Sequence, residues 1–406
     1  MQLTAKVSKH NYLSFLWHGI FLALAQNFMD VDTILPAMLI ESGGGAIHVG
    51  VLTAIMLGGA SITQLFFAPV ISNYNYKKKF LLAGINSRML AVLGLAFLLF
   101  YSKTLNDQFI LWMIFILIAI FSVGGAFANV SYIDIFGKSI LTNKRKSFFS
   151  IRQVVIGTGV FFSAFIARKV LASADYPDNY MRMFLIGFVA LSLASLGFWK
   201  LKEVISSSFK IASWKHFIVF FRAELKENKR LKYFLAYINT QGIIVSLMPF
   251  LLLYAKQNFD GGVSQTGQFL LFKVLGTVSA GLIIFLFKDH IRYRNLLNVN
   301  VLLAITAPIL ILLFADDLPI SAYFMLGGIV YSVYSVSMNG VLLEVSGNEN
   351  RTLYTGIAGA GSIFPAIFPL LGGFIINRFG FNAFFILFIV VVTSSLYFIY
   401  KLDCKK

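Results

Sequence analysis

Several polar residues stand inside the first long apolar stretch of the sequence. On an ideal helix of about 100° per residue they fall within one arc of about 180°; they are His18, Gln26, Asn27, Asp30 and Thr33. A carboxyl group in a low-dielectric setting favours its neutral form, so it can take up and release a proton. Asp30, and Asp32 just off this arc, are therefore candidates for proton coupling. A structural hydrogen bond to a neighbouring helix is the alternative.

Lys273 is the only basic residue placed well inside an apolar stretch of the second half. One use is an ion pair with an aspartate of the first helix, here predicted to be Asp30, which a substrate or a proton would break. A second use is to hold an anionic group of a ligand. A third is to extend toward the membrane surface, as long basic side chains do.

The elements that carry these residues must lie in a membrane. Of the 406 residues, 58% are hydrophobic and only 13% are charged, whereas a soluble domain has about 25% charged residues. This composition excludes a secreted domain, a cytosolic enzyme and a disordered chain. The apolar runs, such as residues 109–130, have the roughly 20-residue length of a spanning helix. They are about twice as long as the strands of a membrane barrel.

The apolar stretches predict an all-α protein with twelve spanning helices in two pseudo-symmetric six-helix bundles. The predicted spans are 12–40, 47–71, 79–101, 108–135, 148–170, 181–201, 232–255, 265–287, 295–314, 320–345, 353–376 and 380–400. With the N-terminus inside, 27 of the 34 Lys and Arg residues fall on the cytoplasmic side. Both termini are therefore expected in the cytoplasm, in a plasma membrane or a bacterial inner membrane. These basic loops also explain the net charge of +17 without a nucleic-acid partner.

Three segments organise the chain: bundles over 1–201 and 232–406, and a cytoplasmic linker over 202–231. Within the linker, SWKHFIVFFRAELKENKRLK is basic and has an apolar stripe. A basic sequence with an apolar stripe is typical of a helix that lies on an anionic membrane leaflet. Docking of a partner is the alternative.

The two bundles repeat each other. Gln26 stands ten residues before Pro36, and Asn239 stands ten residues before Pro249. Asn129 and Asp134 match Asn339 and Glu344, both at a spacing of 210. The matched helices are six apart. Because six is an even number, both copies cross the membrane in the same direction, which predicts a parallel repeat about an axis normal to the membrane. Pro36 also cannot donate to the carbonyl of residue 32, so the first helix is expected to bend there.

Two six-helix halves joined by a cytoplasmic linker resemble the major facilitator superfamily of secondary transporters, over the whole chain. That family's loop after the second helix usually reads G-x-x-x-D-x-x-G-R-K. Here Ala68, Ser72 and Asn75 replace Gly, Asp and Gly, and only the basic end at 77–79 remains. After the tenth helix, Glu344 and Arg351 keep an E-x6-R spacing similar to that of sugar transporters.

The resemblance implies a central cavity lined by the first, fourth, seventh and tenth helices. The substrate-binding candidates on these helices and the eighth are Gln26, Asn27, Asn129, Tyr132, Tyr237, Thr240, Gln241, Lys273, Tyr331, Tyr334 and Asn339. Hydrogen bonds between helices are the alternative role for such residues. The resemblance also implies a cytoplasmic gate network, for which the candidates are Asp134, Arg145, Arg152, Glu344 and Arg351.

The sequence therefore predicts a proton-coupled transporter that moves a small organic solute through the bilayer by alternating access, and the family resemblance implies a monomer. A proton-antiport exporter of amphipathic drugs or metabolites, an uncoupled facilitator and a non-transporting sensor remain alternatives. Neither a glycine-rich phosphate loop nor a Cys/His cluster stands in the sequence, so no cofactor or metal is expected. Since no nucleophile stands with a base, an enzyme is not expected either.

Overall fold

A computed structural model describes residues 3–206, 214–259, 265–287, 290–314, 319–346, 357–359 and 361–402, and every regular element in these ranges is helical. The helices are α1 (Ala5–Gln26), α2 (Ile34–Glu41), α3 (Ala46–Ser72), α4 (Lys78–Phe100), α5 (Asp107–Ser139), α6 (Thr142–Leu171), α7 (Asp178–Lys200), α8 (Trp214–Glu227), α9 (Lys229–Gln241), α10 (Leu247–Asn258), α11 (Thr266–Leu286), α12 (Tyr293–Leu313), α13 (Ile320–Ser346) and α14 (Ile363–Leu402).

Polar residues fix where several helices begin. The side chains of Thr4, Asn106 and Asn228 accept hydrogen bonds from backbone N–H groups of the first turns of α1, α5 and α9. These bonds satisfy donors that have no partner within the helix. The helix starts therefore follow from the local sequence.

Nine helices of the described residues are long and apolar enough to cross a membrane. The twelve predicted spans are not all resolved as separate elements. The last two predicted spans fall largely in α14, whose 40 residues are broken at Gly380, with φ 80° and ψ 175°. An L-residue rarely adopts this conformation, so glycine makes the break. About 20 residues suffice for one crossing, so α14 is long enough for two.

Two predicted spans are discontinuous. The first consists of α1, a 3₁₀ turn at Asn27–Met29 and α2, and the seventh consists of α9, a 3₁₀ turn at Gly242–Ser246 and α10. Pro36 is the third residue of α2, and Pro249 is the third residue of α10. The predicted bend at Pro36 is therefore wrong in position: the chain breaks before the proline, which lies in a first turn where its missing N–H is harmless.

The chain forms two compact units. One contains Met1–Asp30 and Gly59–Phe217, and the other contains Val31–Gly58 and Ile218–Lys406. Val31–Gly58 thus belongs by contacts to the unit that holds the second half of the sequence. The predicted boundaries at 201 and 231 follow the internal repeat and stay a prediction.

Aromatic packing forms part of the core of the first unit. The ring of Phe15 on α1 lies 5.2 Å from that of Tyr132 and 5.3 Å from that of Phe136, both on α5. Phe198 on α7 lies 5.9 Å from Phe15. Phe15 and Phe198 are buried. These contacts fix the position of α1, which carries most of the polar candidates, against α5 and α7.

Candidate functional site

An ion pair joins Asp32 and Lys273 inside the second unit. The Oδ2 of Asp32 lies 2.5 Å from the Nζ of Lys273, and the two side chains are 16% and 10% exposed. Asp32 stands in the short non-helical segment before α2, and Lys273 stands on α11. The prediction that Lys273 pairs with an aspartate of the first span is realised with Asp32 rather than Asp30. The break in the helix places Asp32 at this position. On an unbroken ideal helix, Asp32 would lie off the arc that holds the other polar residues.

Asp32 also borders a small, largely apolar cavity that is partly open to solvent. The 3₁₀ turn at Gly242–Ser246 and the start of α10 supply one wall, and α12 and α13 supply others. The remaining lining residues are Ile244, Val245, Leu247, Met248, Leu303, Ala304, Ala307, Leu326, Gly327, Val330, Tyr331 and Phe388. A carboxylate and a tyrosine hydroxyl at an apolar wall can orient an organic ligand whose body is hydrophobic.

The other candidates of the second unit lie on two facing helices. Tyr237 on α9 and Tyr334 on α13 are buried, with ring centroids 6.5 Å apart. The Oε1 of Gln241 accepts a hydrogen bond from Ser395, at 3.0 Å, while its Nε2 is buried with no hydrogen-bond partner. The hydroxyl of Thr240 donates to the carbonyl of Ala236, at 3.0 Å.

The tenth predicted span contributes two further candidates, both exposed. Tyr331 is 43% exposed at the cavity, which suits contact with a ligand. Asn339 donates to the carbonyl of Ser335 on its own helix, at 2.7 Å.

In the first unit, the candidates divide between structural and exposed positions. Asn27 is buried and donates to the carbonyl of Val160 and to the hydroxyl of Ser163, at 2.5 and 2.9 Å. Asp30 is 7% exposed. Gln26 and Asn129 are exposed. Asn27 thus joins the broken first span to α6, and a binding role for Gln26 and Asn129 stays a prediction.

The predicted gate residues of the first half do not form one cluster. Asp134 pairs with Lys77 and Lys138, at 3.0 and 2.9 Å. Arg145 donates to the carbonyls of Ile140, at 3.1 Å, and of Gly137, so it satisfies the C-terminal end of α5. Arg152 lies against Gly19 on α1. Each gate candidate therefore has its own surroundings.

Glu203 completes this network, and the sequence analysis missed it. Its carboxylate accepts hydrogen bonds from the backbone N–H groups of Lys77 and Lys78, at 2.7–2.9 Å, and pairs with Lys138 at 2.7 Å. It therefore caps the N-terminus of α4, where a negative charge is favourable. The sequence did contain a signal. Glu203 is an acidic residue directly after a span in a basic segment, and the loop before α4 lacks the expected aspartate.

In the second half, Glu344 pairs with Arg230 at the start of α9, at 3.2 Å. Arg230 also donates to the carbonyl of Leu402, at 3.3 Å. Arg351, the predicted partner in the E-x6-R spacing, lies outside the described residues. The pairing that the structure shows for Glu344 comes from a neighbouring helix, which sequence spacing does not reveal.

The chain belongs to the Major Facilitator Superfamily, since the model of that family matches residues 16–359. The expected class of protein, an all-helical membrane transporter fold, is confirmed by this match and by solved structures. No curated protein sequence matches the chain.

The chain is similar in fold to solved transporters of several kinds. A variant of the nucleoside transporter NupG has a TM-score of 0.69 at 12% identity, over 97% of this chain and 98% of that one. A POT family transporter in complex with a thioalcohol-conjugated peptide has a TM-score of 0.68 at 12% identity, over 95% and 94%. The xylose transporter XylE from E. coli has a TM-score of 0.62 at 12% identity, over 97% and 98%. At such identities the likeness establishes the fold alone.

Proposed function

We propose that this chain is a secondary transporter that moves a small organic solute by alternating access and couples the movement to protons. The observation that carries the proposal is the ion pair of Asp32 with Lys273 beside an apolar cavity. Nucleosides, peptides and xylose are named with the solved structures of the same fold, which supports a small solute. We further propose a monomer whose termini both lie in the cytoplasm.

The chemistry of the pair supports coupling. Taking two charges out of water is costly, and their mutual attraction offsets the cost only while the pair is intact. A proton on Asp32 would cancel its charge and release Lys273. Asp32 comes from the first half of the sequence and Lys273 from the second, and both lie in the same compact unit, so protonation would release a contact inside that unit.

Asp30 is the second candidate for the coupling acid. It is buried at the end of the 3₁₀ turn of the first span, two residues before Asp32. The two carboxyl groups thus belong to one chain break but to different compact units. Replacing each separately is the way to decide between them.

A second candidate function is export of amphipathic compounds in exchange for protons. It is favoured by the predominance of aliphatic and aromatic residues around the cavity, with Asp32 as its one carboxylate. The direction of substrate movement relative to the proton distinguishes the two functions. An uncoupled facilitator or a sensor would show no proton movement at all.

The test uses purified protein in liposomes that contain a pH-sensitive dye. Pools of metabolites and amphipathic compounds are screened for solute-dependent proton movement, in both directions. We expect flux in the unaltered protein, its loss in Asp32→Asn or Asp30→Asn, and its retention in Asp175→Asn, an exposed loop control. Solute flux without proton movement would reject coupling, and ligand binding without any flux would reject transport.

A further inference from the structure

Arg88 occupies an unusual position in the first unit. It stands ten residues after the start of α4, which is ~15 Å along the axis and near the middle of a ~30 Å hydrocarbon layer. Its Nε is buried with no hydrogen-bond partner. The centre of its guanidinium lies 4.2 Å from the centroid of the Phe121 ring. A cation at this depth is costly unless something compensates for its charge.

Arg152 on α6 belongs to the same neighbourhood. Arg152 lies against Gly19, the residue after His18, and the ring of Tyr132 lies 6.0 Å from that of Phe198. On α4, Asn86, two residues before Arg88, accepts a hydrogen bond from Ser195, the residue after Ala194. His18 is buried, stacks on Phe198 at 3.7 Å and lies 3.2 Å from the carbonyl of Ala194 through its Nδ1. Side chains from α1, α4, α5 and α6 therefore converge here.

The charge of this neighbourhood is not balanced within the protein. Across the part of the chain that the structure describes, no carboxylate pairs with Arg88 or Arg152, whereas Lys77 and Lys273 each pair with one and Lys138 pairs with two. The acids at the start of α4, Asp134 and Glu203, are held by lysines. Two guanidinium groups within the span and without a carboxylate partner favour an anion supplied from outside the protein.

A glycine faces each of the two arginines, and the one beside Arg88 leaves room for it. An alanine Cβ at Gly125 of α5 would lie 3.3 Å from the Nε of Arg88, tighter than most packing contacts. An alanine Cβ at Gly19 of α1 would lie 3.8 Å from the Nε of Arg152. Each guanidinium thus lies over a position without a side chain.

We propose that Arg88 and Arg152, with Tyr132, bind an oxyanionic group of the transported solute, a carboxylate or a phosphate ester. Guanidinium groups match the geometry of such oxyanions and bind them through paired, charge-assisted hydrogen bonds. The anion would supply the missing negative charge. Lys273, the sequence-based candidate for this role, is already paired with Asp32. The inference rests on the proposed transport function and names its substrate class.

The test measures binding first and flux second, on the full chain in detergent and in liposomes. The probes are small mono- and dicarboxylates and phosphate monoesters, each with an amine and an alcohol of matched carbon skeleton. We expect at least one anion, but not its matched amine or alcohol, to raise the melting temperature. Comparing carboxylates with phosphate esters identifies the source of the oxyanion.

The decisive variants are Arg88→Gln and Arg152→Gln, with Arg168→Gln as control. Arg168 is exposed near the end of the same helix as Arg152, so the control makes the same change in charge. Either decisive variant should weaken anion binding by roughly tenfold or more, and the control should not. Arg88→Lys keeps the charge but not the planar fork and should bind with intermediate affinity, which separates lost binding from misfolding.

Several results would overturn the proposal: a panel in which no anion binds, binding confined to amines or alcohols, or anion affinity unchanged in both glutamine variants. The proposed transport function fails differently. Anion binding that depends on the arginines but produces no flux would support the anion site and reject transport. Flux of a neutral or cationic solute that the arginine substitutions do not change would support transport and reject the anion site.

Discussion

The ammonium group of Lys273 lies 2.5 Å from the carboxylate of Asp32, and both side chains are largely shielded from solvent. One partner stands on a regular helix, and the other stands in a gap between two helical segments. The gap lets the carboxylate reach Lys273 without distorting α11. The ion pair therefore forms only because the first span is interrupted before α2.

The first prediction concerns the stability that this pair provides. Asp32→Asn should lower the stability by ~3–5 kcal/mol, because it leaves a buried ammonium without its counter-charge. Removing both charges, in Asp32→Asn with Lys273→Gln, should recover much of that loss. Thermal unfolding of the purified protein in detergent measures both effects as a double-mutant cycle. Purely additive losses would show that the two residues do not interact.

The second prediction concerns the cap that Glu203 provides for α4. Glu203→Gln removes the charge that Lys138 and the helix N-terminus share, so stability should fall by ~1–3 kcal/mol. Glu227→Gln, on the exposed surface of α8, is the matched control and should change stability little. The same melting assay compares them. Equal melting temperatures for the two variants would contradict a capping role.

The third prediction separates two asparagines that the sequence analysis treated alike. Asn27→Ala breaks the hydrogen bonds to Val160 and Ser163 and should cost ~1–3 kcal/mol of stability. Asn129→Ala changes an exposed side chain and should leave the melting temperature unchanged. If Asn129 contacts the solute, its loss should appear only in flux or ligand affinity. A large drop in melting temperature for Asn129→Ala would contradict this division.

The fourth prediction concerns the break in α14. Gly380 has φ 80° and ψ 175°, so Gly380→Ala should destabilise the protein by ~1–3 kcal/mol. Gly157 lies within α6, and a Cβ there would have nothing within 4 Å. Gly157→Ala should therefore stabilise slightly, by ~0.5–1 kcal/mol. Opposite shifts in melting temperature are the expected pattern. A continuous helix through Gly380 would instead tolerate alanine there.

The sequence predicted the class of fold because two of its determinants can be read directly along the chain. These are the length of each apolar stretch and the positions of the basic residues between the stretches. It did not predict the breaks in the first and seventh spans. A bend was expected at Pro36, which lies just after the first break, and no break was predicted in the seventh span. What interrupts the helices is a 3₁₀ turn that is stable only within its surroundings, as the bonds from Asn27 to α6 illustrate.

The candidate site was predicted in part. A pairing for Lys273 followed from the cost of a buried charge, but the choice of Asp32 depended on the unforeseen break. Glu203 and Arg230 pair with residues far away in the sequence, so no local spacing pointed to them. Arg88 was not singled out from the sequence, although its distance from the start of its helix places it deep in the span.

The segment after α7 behaves as part of the first unit rather than as the start of a tether. Asn11 donates to the carbonyl of Lys202 and accepts from its N–H, and Lys78 donates to the carbonyls of Trp199 and Leu201. With Glu203 capping α4, these bonds tie residues 199–203 to distant parts of the chain. For any attempt to express the protein as two separate polypeptides, the first must extend past Glu203, or α4 loses its cap.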